Sequence, residues 1–226
     1  MKPSVRDAFT SFSERFEGSV PHLYLDIKQI PTIAIGNAVF NPFQALRLPL
    51  VRNADGEPAS DLEIIQEWRR LAPKVPPSTA PGQPPGDQDP AVSAEIARLG
   101  HRAAKPYTRL HLRPEGIAQV VTNKLLLDEV ELKRRFPEFE SWPADAQLAT
   151  FSMAWACGPA FKFPRLAAAL RAKDFRAAAL ECHIEDSHNP GIRPRNAANV
   201  ALYENAARVL EEGLDGSRLY FPGVPQ

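Results

Sequence analysis

Between Ala91 and Gly213 almost every window of the sequence places apolar residues at helical spacing, which commits the larger part of the chain to a helical assembly. Helices are expected over 91–104, 114–135, 143–157, 164–172, 175–182 and 195–213. Pro114 and Pro143 stand where first-turn prolines are tolerated, and Asp174 can cap the run "FRAAALEC". Just before this region lies "PKVPPSTAPGQPPGDQDP", from Pro73 to Pro90, rich in proline and without an apolar face. It reads as a mobile loop or semi-rigid spacer. A proline-rich recognition motif would want a flanking basic anchor, which this stretch lacks.

The amino-terminal part has a different texture. Val5, Ala8, Phe9, Phe12 and Phe16 share one face of a helix expected over 4–17. Ser4 and Asp7 have the spacing of a capping box, and Gly18 is a natural stop. "HLYLDI" and "TIAIGN" are short alternating or apolar runs near Pro21 and Pro31, expected as strands of a small sheet. "FQALRLPLV" is read as a third strand, followed by the turn signal "NADG". A second capping box, Ser60 with Glu63, opens a helix to Leu71 whose stripe is Leu62, Ile65, Trp68 and Leu71. The fold class is therefore α+β and mainly α: an N-terminal helix, a small antiparallel sheet over 18–57, and a helical lobe over 106–226.

Composition narrows the function classes. The 226 residues are 44% hydrophobic, enough for a packed core. Lys+Arg and Asp+Glu number 27 each, so no global basic field argues for nucleic acid. No apolar run is long enough to span a bilayer, and "MKPSVRDAFTSF" lacks the apolar segment of a secretory signal. Cys157 and Cys182 sit in apolar helical runs and read as small buried hydrophobes, with a disulfide between them left open. Trp68 and Trp142 fall in apolar patterns and read as core. His22, His101 and His111 are isolated and read as surface groups. "CHIEDSH", residues 182–188, gathers potential metal ligands, but at no standard spacing, and a polar inter-helix loop accounts for it equally. No metal and no cofactor are expected.

The stretch "RFEGSVPHLYLDIKQIPTIAIGN" carries the chemistry. Glu17 closes the first helix, Asp26 follows nine residues on, and Thr32 six after that. A carboxylate in a helix's last turn faces the negative end of the macrodipole, which favours its protonated form, and desolvation beside Phe12 and Phe16 acts in the same direction. A better-solvated Asp26 would stay ionised. Two carboxylates in opposed environments are what glycoside hydrolysis uses, one protonating the leaving oxygen and the other activating water or attacking the sugar. A hydroxyl near the second can hold the water.

This stretch resembles the T-even phage type of lysozyme, glycoside hydrolase family 24, which places Glu, Asp and Thr at these intervals. The likeness extends to Glu17-Gly18, to Leu25-Asp26, to "TIAIG", and to "SMAWACGPAFKFPRLAAALRAKDFRAAALEC" and "NPGIRPRNAANV" in the helical part. It implies a lysozyme-like two-lobe fold in a single domain that cleaves the bond between N-acetylmuramic acid and N-acetylglucosamine. Glu17 would be the acid, Asp26 the base or electrostatic partner, and Thr32 the water-holder. The family inverts, implying carboxylates roughly 6.5–9.5 Å apart. Substrate contacts are expected from Asn37, which stands where the family often has His; from Trp155, beside Ala156 at the family's cleft glutamine; and from Arg195, since the family arginine near the acid aligns with Asn196. Arg193 is the other neighbour available. Residues 38–105 have no family counterpart.

The implied partners are peptidoglycan glycan strands and a cognate immunity protein that plugs the cleft; nucleic acid and membrane are not expected, and a monomer is. A wall-degrading enzyme without a leader needs export by other means, a phage holin or a contact-dependent secretion system; the neutral charge and long Pro-rich insertion fit a bacterial antagonism toxin, made in the cytoplasm and acting in the periplasm or wall of a target cell, better than a phage endolysin. A non-catalytic lysozyme-like module that binds glycan or a partner is the alternative, and a metal hydrolase built on 182–188 a third reading. Because 73–90 offers almost no apolar surface to bury, replacing it by a short Gly/Ser linker should leave the melting temperature within a few degrees, as scanning calorimetry would read.

Overall fold

The computed structural model describes residues 1–26, 29–71, 101–187 and 189–222. The readings of 73–90 and of a helix over 91–100 lie outside the described residues. The chain is mainly helical with small antiparallel sheets, and it divides into two compact units, Met1–Glu17 with Asn123–Gln226, and Gly18–Thr122.

In the unit Gly18–Thr122, strands β1 (Val20–Leu25), β2 (Pro31–Ala34) and β3 (Asn37–Ala38) form an antiparallel sheet in that order. Tyr24 pairs with Thr32, and Thr32 with Ala38. The expected third strand "FQALRLPLV" is corrected. Asn41 caps a helical turn, α2 (Pro42–Ala45), by accepting from the Gln44 N–H, and only β4 (Leu50–Arg52) is extended. A proline at the first helical position favours that turn. After helices α3 (Asp61–Leu71) and α4 (His101–Ala104), β4 pairs with β5 (Leu110–Leu112), a strand inside a region that reads as nearly all helical. Leu50, Ile64, Trp68, Leu71, Leu110 and Leu112 share a core with Leu23, Leu25 and Ile33. Trp68 is core as expected, and its indole N–H donates to the Val39 carbonyl at 2.8 Å.

The Ser60/Glu63 capping box forms: the Ser60 N–H and hydroxyl both donate to Glu63 Oε2, and the Glu63 N–H returns to Ser60 Oγ at 3.4 Å. Glu67, one turn on, is buried and fastens the second sheet. Its Oε1 accepts from the N–H groups of Arg109 (2.7 Å) and Leu110 (3.4 Å), and its Oε2 from Arg70 (2.7 Å). His22 is not a surface group. It is buried, its Nε2 lies 2.9 Å from the His101 carbonyl, and burial pushes its pKa down.

The other unit is built on α1 (Pro3–Glu17), the carboxyl-terminal part of α5 (Pro114–Arg135), α6 (Ala144–Cys157), α7 (Pro164–Ala172), α8 (Phe175–Glu181) and α9 (Arg193–Glu212). Every residue of α6 from Ala144 to Trp155 is buried, as suits a helix apolar on all sides. Trp142 is core too, edge-on to Phe139 and Phe175 at 5.2 and 5.8 Å. Polar groups on α6 find partners inside: Thr150 meets the Tyr203 hydroxyl at 3.0 Å, and Asp145 accepts from Asn205 and from the Tyr220 N–H. Burial pushes the Asp145 carboxyl up, against the pull of those donors.

Asp174 caps α8 as expected, accepting from the Ala177 N–H at 2.9 Å. The Ser4/Asp7 capping box does not form. Helix α1 starts a residue earlier, at Pro3, and the Ser4 hydroxyl donates to the Ser217 carbonyl at 2.6 Å. No disulfide joins Cys157 and Cys182; Cys182 is buried, whereas Cys157, expected buried, is exposed at the end of α6.

Glu67→Ala would remove the acceptor shared by the N–H groups of Arg109 and Leu110. Unfolding free energy should fall by about 3 kcal/mol, read by urea denaturation. A loss within error of a surface Glu→Ala control would show that the clasp contributes nothing.

Candidate active site

Helix α1 ends at Glu17 because Gly18 takes φ +68, where a side chain is strained although there is space for one. The Glu17 carboxylate is therefore presented from a helix end, 30% exposed. Its Oε1 accepts from Arg195 Nη2 at 2.6 Å. Arg195 is completely buried in the first turn of α9, and its Nη1 donates to the Ser152 carbonyl (3.2 Å) and hydroxyl (3.1 Å) on α6. The guanidinium also lies over the Phe16 ring at 4.8 Å. Burial pushes the Arg195 pKa down, and the Glu17 charge is the chief group opposing it.

These contacts alter two expectations. The surroundings of Glu17 are not purely apolar, because the face of Phe16 that was to desolvate it is occupied by a cation. Arg195 has no surface to offer a glycan, so the substrate-binding role expected of it is corrected: it is an anchor for Glu17.

Trp155 also departs from expectation. It is 7% exposed, with the Phe9 ring at 4.9 Å and the Lys124 ammonium 4.2 Å from its ring centroid. Lys124 is held there by Asp128 at 2.5 Å. An indole so covered leaves neither face free to stack on a sugar.

Asp26 and Thr32 belong to the sheet unit, and the structure brings both to Ile30. Asp26 Oδ1 accepts from the Ile30 N–H at 2.8 Å, and the Asp26 N–H donates to the Ile30 carbonyl at 3.1 Å. The Thr32 hydroxyl donates to that same carbonyl at 3.0 Å. Asp26 is half-buried just past β1, and Thr32 is buried in β2. With its proton committed to Ile30, the Thr32 oxygen can only accept from a further partner. Asn37 is buried, and its Oδ1 accepts from the Ile35 N–H across the turn at Gly36, φ +71. That bond shapes the turn.

In 182–187 the side chains serve local structure. The Cys182 thiol donates to the Ala179 carbonyl and is pushed up to about 11 by burial. Glu185 accepts from the Ser187 N–H, and Asp186 pairs with Arg193 at 3.0 Å, which accounts for Arg193. Asn196 holds Ile184 on both sides, its Oδ1 accepting from the N–H and its Nδ2 donating to the carbonyl. His188 lies outside the described residues, and among those described no three His, Cys, Asp or Glu side chains gather as for a metal.

Sequence reading missed Ser152 and Lys124. The signal for Ser152 was present: a small hydroxyl residue inside "ATFSMAWAC", an otherwise apolar run, needs a polar partner when that run is buried.

Arg195→Ala should lower unfolding free energy by about 3 kcal/mol or more, since it strips Glu17 and Ser152 of a buried partner. Glu17→Gln keeps an oxygen that accepts from Nη2 but leaves the buried guanidinium without its anion, and should cost about 3 kcal/mol as well. Chemical denaturation of both would read the losses, and a loss within error of a surface control in either variant would remove the anchoring role from Arg195.

No family model matches this chain, and neither a curated protein nor a solved structure matches it.

Proposed function

We propose that the protein is a peptidoglycan muramidase of lysozyme type, hydrolysing the β-1,4 bond between N-acetylmuramic acid and N-acetylglucosamine with inversion. The observation that supports this most is the partly exposed carboxylate of Glu17 at a helix end, held by a fully buried arginine that touches it at 2.6 Å. A merely structural acid on a helix end has no need of such an anchor, whereas a proton donor needs a fixed direction.

In this reading Arg195 fixes Oε1, and Oε2 carries the proton to the glycosidic oxygen as the bond to the anomeric carbon breaks. A water attacks that carbon from the opposite face and gives its proton to Asp26. Thr32, able only to accept, takes the water's other hydrogen, so the water's lone pair is aimed at the sugar. When product leaves, Asp26 releases the proton it took from the water to solvent and Glu17 regains one from solvent, which resets both groups. Delivery as an antibacterial toxin blocked by an immunity protein belongs to the same proposal.

A non-catalytic glycan-binding module is the second reading. It is favoured by the bonds that Asp26 and Thr32 both make to Ile30, which a plain hairpin brace would also show.

Digestion of purified sacculi, with products identified by mass spectrometry, separates the two readings. Glu17→Gln should lose at least about a hundredfold in rate, within the range of general-acid contributions, while keeping its fold. Near-normal digestion by the folded variant removes Glu17 from the mechanism, and no digestion by the parent protein supports the binding module.

Thr32→Ala should slow turnover with binding unchanged. Proton NMR of the first products should show the α-anomer. A β-anomer, or a sugar ester trapped on Asp26, would overturn the water-holding role of Thr32.

A further inference from the structure

A groove of about 830 Å³ opens in the helical unit, lined among others by Arg135 at the end of α5, by Phe161, Lys162 and Phe163 in the loop after α6, and by Arg171 on α7. Its size is within the range of about 300–1,000 Å³ typical of ligand clefts. Arg135 is rigidly placed, with Nη1 donating to the Pro159 carbonyl at 3.1 Å, Nη2 to the Phe161 carbonyl at 2.7 Å, and the guanidinium 4.2 Å from the Phe161 ring centroid. The Arg135 and Arg171 guanidinium groups both approach the Phe136 ring, at 5.1 and 5.6 Å. Burial and the charge of Arg171 together push the Arg135 guanidinium down.

The lining contains one carboxylate, Glu131, and it is already paired with Arg134 at 2.7 Å. Among the described residues, Arg135, Lys162 and Arg171 make no ion pair. Three uncompensated cations therefore share one groove in a chain whose acids and bases balance, and the missing charge is that of a ligand.

The chemistry of the walls selects the kind of anion. A neutral glycan would want amide or hydroxyl side chains, and the lining offers none. A nucleic acid would want a basic track beyond one groove. The walls are instead phenylalanine, proline and alanine, and exposed apolar residues stand one turn before Glu131 and Arg134 on α5. Leu127 and Val130, 66% and 64% exposed, share the face of Arg134 at helical spacing. An apolar stripe beside a cationic groove is the complement of a polypeptide carrying both carboxylates and aliphatic side chains.

We propose that this groove docks an acidic segment of a partner protein, with carboxylates on Arg135 and Arg171 and aliphatic side chains against Leu127 and Val130.

A short capped peptide of Glu-Glu-Leu repeats serves as the probe, with a Gln-Gln-Leu peptide, inorganic phosphate and a heparin oligosaccharide as comparisons, read by calorimetry and by amide shifts in NMR. The Glu peptide should bind at least about tenfold more tightly than the Gln peptide, shift amides around Phe161–Phe163, and weaken with salt. Charge reversal at the exposed Lys162 and Arg171 should abolish binding with an unchanged melting temperature, so the outcome does not depend on a variant of the packed Arg135. Arg176→Gln, at an arginine paired with Glu211 instead, should bind as the parent does. Absent binding, equal binding of the Gln peptide, shifts mapped elsewhere, or phosphate or heparin binding as well as the Glu peptide would each overturn the proposal.

Discussion

A buried guanidinium needs an anion, and the arrangement around Arg195 follows from that need. The arginine is completely buried and its Nε has no hydrogen-bond partner among the described residues, so its charge rests on Glu17 and on two acceptors of Ser152. Both members of the ion pair stand at the wrong ends of their own helices. Arg195 is a cation in the first turn of α9, and Glu17 an anion in the last turn of α1. Each alone opposes its macrodipole; together, 178 residues apart in sequence, each offsets the other. Two local rules are thus broken at one place, with a single compensation.

The central helix α6 is what makes this burial feasible. Its apolar character on all sides surrounds it with protein, and its few polar side chains then act as fixed sockets: Ser152 for Arg195, Thr150 for Tyr203, Asp145 for the segment reaching Tyr220. Asp145 shows the cost of such a socket. Burial raises its pKa in the folded state, so between the unfolded value and the raised one the folded protein binds more protons, and stability from this group falls as pH rises through that window. The carboxylate is tolerated because the donors of Asn205 and Tyr220 oppose the burial.

How much of this could be read in the sequence depended on the range of the interaction involved. Helices set by periodicity and local caps were legible: α5 and α7 ran as expected, and the Ser60/Glu63 box and the Asp174 cap formed. Features set by distant partners were not. Strand β5 exists because Leu110 and Leu112 complete a ladder with Arg52 and Leu50 and because Glu67 accepts the N–H groups of Arg109 and Leu110. The aromatic face of Trp155 is closed by Lys124, which no local pattern signals. Of the candidate residues, the positions of Glu17 at a helix end and of Asp26 and Thr32 in a hairpin were legible. The shared attachment of the last two to Ile30, and the anchoring of the first by a buried arginine, depend on side-chain directions that spacing does not carry.

The arginines of the helical unit show two solutions to one electrostatic problem. Arg195 is deeply buried, and the chain supplies its anion, leaving the carboxylate partly open to solvent and able to act on something else. Arg135 is stacked between aromatic rings and held by two carbonyls, an arrangement that fixes its direction without neutralising its charge. A carbonyl pair is sufficient at Arg135 because one side of the guanidinium faces an open groove, where solvent or a ligand can share the field; at Arg195 there is no such side. The same residue type thus becomes an internal anchor or an outward-facing receptor according to whether its counter-charge comes from within the chain.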